Sequence, residues 1–137
     1  MNNLESLKRF ETLPILLHEG VPGHHLKTVY NTEIGRFPAF LQHPLKENYA
    51  SAPSSTPIYS AHTEGWALYA EQLGLEMGLY SDPFSLIGHF SMSLLRSARL
   101  VVDTGIHAFG WSRQKAIDYL ISNTALSQDF AEAEVDR

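Results

Sequence analysis

Apolar residues recur along this chain at three- and four-residue spacings, and no stretch alternates with period two over the length of a strand, so the pattern predicts helices almost throughout. A short helix is expected from Asn3 to Phe10. Thr12 caps a second segment, in which Pro14 suits the first turn and Leu13, Ile15, Leu16 and Leu17 lead into HEGVPGHH. Pro22 has no N–H to donate and must disturb that helix, but helical spacing resumes at His24, runs toward Glu33 and stops near Gly35. From Arg36 to Ile58 the prolines at 38, 44, 53 and 57 predict one long irregular connection. The next helix is expected from Tyr59 to Met77, closed by Gly78. Ser81, Asp82 and Pro83 then start a long helix that runs to Phe109, with Gly110 behind it. Ser112 opens another through Asn123, and Ser127 a last one that reaches the final residue without a stop signal. The expected fold is all-α, a multi-helix domain covering residues 1–137 with the irregular connection at 36–58.

Composition narrows the chemistry. With 137 residues, 44% of them apolar, the chain can bury one core. Fifteen acidic against ten basic side chains give a formal charge of −5, which argues against nucleic acid as a partner. No apolar run approaches the roughly 20 residues that cross a bilayer, and the start has no apolar signal-peptide core, so a soluble compartment is expected. There is no cysteine, so any metal must be held by imidazole and carboxylate, and seven histidines make that worth testing.

The segment His18-Glu19-Gly20-Val21-Pro22-Gly23-His24-His25 carries the strongest signal. Zinc peptidases use HExxH on a helix because residues four apart share a face and hold one ion while the glutamate between them activates water. Here the fourth residue after His18 is Pro22. On a regular helix His18 and His24 would stand about 9 Å apart along the axis and His18 and His25 about 10.5 Å. Two nitrogens on one zinc must be within about 3.5 Å of each other. A straight helix therefore cannot make the site. Pro22 and Gly23 suit a local break, and without them the segment reads His-Glu-Gly-Val-His. The segment is thus HExxH with a Pro-Gly insertion, with His24 as the preferred second ligand and His25 as its competitor. Without a metal, the same residues would be a helix ending at Gly20.

A third ligand is sought in AHTEGWALYAE. Glu64 and Glu71, seven apart, share a helix face among apolar neighbours, where an unpaired carboxylate is costly. Glu64, beside a glycine that would let a helix approach, is the choice for the ligand, Glu71 for orienting a ligand imidazole, and His62 for a reserve. On the long helix Arg99, Asp103 and His107 fall at i, i+4 and i+8, so Arg99 can pair with Asp103 and Asp103 with His107. An imidazole so oriented could stabilise an oxyanion, and Arg96 or Arg99 could hold a substrate carboxylate, although a purely structural network reads equally well. Tyr119 is a further candidate donor.

Together, HEGVPGHHL, EGWALYAEQLGLEMGLY, RSARLVVDTGIHAFGWSRQKAIDYL and AEAEVDR resemble the C-terminal part of the uncharacterised domain family DUF885, whose members are longer, helical and similar to gluzincin-type zinc metallopeptidases. The resemblance implies Zn2+ on His18, His24 and Glu64, Glu19 as general base, and His107, with Arg99 and Asp103, near the active site. It also implies that this chain is the catalytic portion of a larger protein. The expected activity is hydrolysis of peptides or oligopeptides by metal-activated water. The rival is a truncated or inactive helical module that keeps the metal signature. A di-iron helical protein is disfavoured because the chain has no Glu-x-x-His pair.

Overall fold

A computed structural model describes residues 8–34 and 60–137; the expected connection at 36–58 and residues 3–7 of the first expected helix lie outside them. The described residues are helical, with no strand among them. A 3-10 turn, Arg9–Glu11, stands at the end of the first expected helix. It is followed by α1 (Thr12–Glu19), α2 (His24–Glu33), α3 (Ser60–Glu76), α4 (Pro83–Phe109), α5 (Arg113–Asn123) and α6 (Gln128–Asp136). Where the sequence reads as one domain, the chain divides into two compact units: residues 12–81, and residues 82–137 with the N-terminal segment.

Local chemistry sets the helix ends. Asp82 accepts hydrogen bonds from the Phe84 and Ser85 amides with Pro83 in the first turn, and the bonds from Ser85 and Phe84 hold its carboxyl below the ordinary range. Ser112 caps α5 through the Lys115 amide and Ser127 caps α6 through the Phe130 amide. At the end of α4 Gly110 turns left-handed, with φ 62°, and the Trp111 amide reaches back to the Gly105 carbonyl at 2.9 Å.

In the C-terminal unit Ala98 and Val102 of α4 meet Ala116, Ile117 and Leu120 of α5 and Ala131 of α6, with Ile106, Leu126 and Val135 at the margin. The other unit is built on α3, where Ala67, Ala70, Glu71 and Gly74 form a buried stripe at i, i+3, i+4 and i+7. Small residues let α1 lie close, bringing its own buried face of Pro14, Leu17 and His18 against the stripe. A Cβ on Gly74 would stand 2.5 Å from Leu17 Cδ1. One position of the α3 stripe that periodicity would give to an apolar residue is therefore occupied by a carboxylate, Glu71.

Candidate metal centre

The break between α1 and α2 places the first two donors. It is a full interruption: α1 ends at Glu19, residues 20–23 form a turn with a cis Val21–Pro22 peptide, and α2 begins at His24. Gly23 is needed there because a Cβ at that position would collide with the carbonyl oxygens of Leu17 and His18. The turn is tied to α3 by the Trp66 indole, which donates to the Pro22 carbonyl at 2.8 Å. The chain thus turns over four residues, and two histidines that a straight helix would keep apart come to a ring-centroid distance of 4.8 Å, edge to face.

Glu64, on the first turns of α3, completes the group. Its Oε2 lies 3.3 Å from His18 Nε2 and 3.6 Å from His24 Nε2, and the three donor atoms all fall within 4.8 Å of one another. Ligand atoms about 2.0–2.2 Å from a tetrahedral zinc stand roughly 3.3–3.6 Å apart, so both distances to Glu64 match what one ion imposes, and two imidazoles with a carboxylate form a donor set that zinc accepts. The residues present fit the ion.

Burial grades across the site. Glu71 is fully buried and accepts from His18 Nδ1 at 2.7 Å. A carboxylate removed from water at that depth costs several kcal/mol unless it is bonded, and the imidazole N–H supplies the bond. An ionised carboxylate can only accept, so Glu71 in that form assigns the imidazole proton to Nδ1 and leaves Nε2, on the side of Glu64 and His24, as the acceptor. The His24 side chain is 22% exposed and that of Glu64 61%, which leaves the Glu64 side open to solvent. Tyr80 donates to the Glu71 carbonyl at 3.0 Å, and its hydroxyl is pushed up to about 12 by burial and by the Glu71 charge. Lys27 of α2 donates to Thr63 Oγ1 at 2.8 Å; burial lowers its proton affinity, and nearby Glu64 partly restores it.

The structure gives each of the sequence candidates a place in this geometry. His24, not His25, joins His18 and Glu64, because the turn directs the first residue of α2 to the donors, while His25 is exposed. The glycine beside Glu64 permits no close approach, since a Cβ on Gly65 would meet open space; the tight contacts are at Gly23 and Gly74. His62 lies outside the donor group and lines a cavity of about 360 Å³ with Leu26, Lys27, Tyr30, Asn31 and Trp66. Glu19 is exposed at the end of α1, and among the described residues its carboxylate makes no hydrogen bond or ion pair.

The α4 candidates belong to the other unit. Arg99 does not pair with Asp103; it makes two bonds of 2.6 and 2.8 Å to Glu134 of α6, where both carboxylate oxygens match the guanidinium fork. Burial pushes the Glu134 carboxyl up, but Arg99, helped by Arg137, holds it below its ordinary value. His107 and Asp103 stand 3.7 Å apart and about three-quarters exposed, a spacing at which a surface pair contributes little. Arg96 bonds the Met92 carbonyl on its own helix, and Tyr119 stacks at an angle on Trp111 beside the core.

Sequence reasoning missed Lys27, Thr63 and Glu134. Lys27 lies one turn beyond His24, a spacing that could have pointed to it, while Glu134 is 35 residues from Arg99 and nothing local marks the pair. Comparison with curated proteins returns no match. Over residues 1–137 the sequence matches the family described as bacterial protein of unknown function (DUF885), and the chain belongs to that family.

Proposed function

We propose that the chain carries the metal centre of a zinc-dependent peptidase acting on peptides or short oligopeptides. The observation that carries this reading is that donor atoms of His18, His24 and Glu64 lie within 4.8 Å of one another, with a buried carboxylate behind the first imidazole. When bound, zinc supplies Lewis-acid polarisation of the scissile carbonyl and acidifies water at the position left for it. Glu19 follows His18 directly and carries a carboxylate with no bond among the described residues, which takes the proton of the attacking water and returns it to the leaving amine. Glu71 keeps the proton of His18 on Nδ1, so that Nε2 stays available as a donor. His107 takes no step in this proposal.

Elemental analysis of the purified chain, with a peptide library as substrate, tests the assignment. His18→Ala loses stoichiometric zinc, whereas Glu19→Gln keeps zinc and loses hydrolysis. Zinc that survives His18→Ala, or hydrolysis that survives Glu19→Gln, would contradict it. Wild type that binds zinc and cleaves nothing would favour the non-catalytic module.

A further inference from the structure

The cavity lined by Leu26, Tyr30 and Trp66 is apolar on most of its wall, and Lys27 and Asn31 give it a polar edge. Two links tie it to the metal centre within the same unit. Trp66, part of its wall, holds the turn that separates His18 from His24, and Lys27, part of its edge, is bonded to Thr63, the residue before Glu64. The Lys27 ammonium has three protons and gives one to Thr63, which leaves two for a ligand. Its volume of about 360 Å³ accommodates one large side chain, and aromatic walls with a few convergent polar groups are what a small-ligand subsite requires. Of the two cations that sequence offered for a substrate carboxylate, Arg99 is committed to Glu134 and Arg96 bonds the Met92 carbonyl, both in the other unit.

We propose that this groove is the subsite for a large apolar residue at the C terminus of a peptide, with the side chain against Trp66 and Tyr30 and the α-carboxylate on the Lys27 ammonium. The inference rests on the peptidase reading and gives it an end preference: cleavage near a free carboxyl terminus that carries an aromatic or branched aliphatic residue. Lys27 then distinguishes acid from amide, and the ring walls distinguish large from small side chains.

The test uses the full 137-residue chain labelled with 15N, whose two tryptophans, Trp66 and Trp111, give two indole N–H signals assigned through Trp66→Phe. N-acetylphenylalanine, its amide and N-acetylglycine are titrated first in chelator and then with zinc. Expected is a saturable shift of the Trp66 signal with N-acetylphenylalanine while Trp111 stays in place, about tenfold weaker binding of the amide, and no shift with N-acetylglycine. Lys27→Met should bring acid and amide to equal affinity. The comparison of acid with amide in the wild type needs no variant, and Tyr30→Asp, at a position 51% exposed, should abolish the shift if Lys27→Met does not fold. Equal binding of acid and amide by wild type, an unmoved Trp66 signal, or a preference that persists in Lys27→Met would overturn the proposal. Shifts without zinc uptake would sink the metal reading and leave the subsite standing; zinc uptake without shifts would do the reverse.

Discussion

The two units place their buried polar groups differently. In the C-terminal unit the core cluster is made of alanine, valine, isoleucine and leucine, and its shortest ion pairs lie at the rim, where Arg99 meets Glu134 and Arg113 meets Asp136. Among its described residues the two buried polar ones, Ser85 and His89, belong to the start of α4, and Ser85 is satisfied by the Asp82 carbonyl. In the unit formed by α1, α2 and α3, a carboxylate and an imidazole occupy the middle of the helix contact itself, Glu71 at 0% exposure and His18 at 8%. Apolar residues of similar size would usually stabilise such a contact as well or better. A buried pair that passes a fixed lone pair outward to a second histidine and a half-open glutamate is readily explained by a ligand and poorly by stability alone. The contrast teaches where chemistry is expected: in the unit whose buried polar pair lies in a helix contact beside further donor groups.

Substitutions can break or sharpen that contrast. The largest effect on stability is expected at the apolar core. Leu120→Ala, at a fully buried position, should cost about 2–5 kcal/mol in denaturant unfolding and leave zinc stoichiometry unchanged at temperatures where the chain is folded. Loss of zinc in the folded variant would mean that the units are not separable. A smaller effect is expected at Glu71. With Glu71→Gln the amide cannot supply the carboxylate's charge behind His18, and zinc affinity in a competition titration should fall by about 10- to 100-fold. An unchanged affinity would reduce Glu71 to a packing role.

The smallest effect concerns acid. Arg99 offsets burial at Glu134, Gln128 and Arg113 act at Glu132, and Arg113 acts at Asp136, so that all three carboxyls are held below their ordinary values of 4.5, 4.5 and 3.8. Groups with lowered folded values take up protons more readily when unfolded, so the stability they add is complete above the ordinary values and is lost as pH falls through the folded ones. Glu132 and Asp136 are exposed and screened, so the decline should be shallow and flatter still in high salt. An acid transition that deepens with added salt would contradict this account.

Much of this was legible in the residues. The ends of α4, α5 and α6 follow from Asp82-Pro83, Ser112, Ser127 and Gly110, because caps and left-handed glycines act over a few residues. Glu71 could be singled out because a carboxylate interrupts an apolar stripe, and His18 because HE precedes a helix-breaking pair. What stayed hidden depends on the turn and on distant pairings. The choice between His24 and His25 is made by the path of residues 20–23, one residue apart in a helix being about 100° of rotation. The partner of Arg99 is a residue on another helix, and the close approaches fall at Gly23 and Gly74 rather than Gly65, which only packing decides.

The proposed function depends above all on His18, His24 and Glu64 holding one zinc ion. The most direct measurement is the zinc content of the wild-type chain beside His24→Ala and His25→Ala, each loaded with zinc, desalted and analysed for metal per chain. One zinc per chain is expected for wild type and for His25→Ala, and none retained by His24→Ala. Zinc kept by His24→Ala, or lost by His25→Ala while the helices remain folded by circular dichroism, would contradict it.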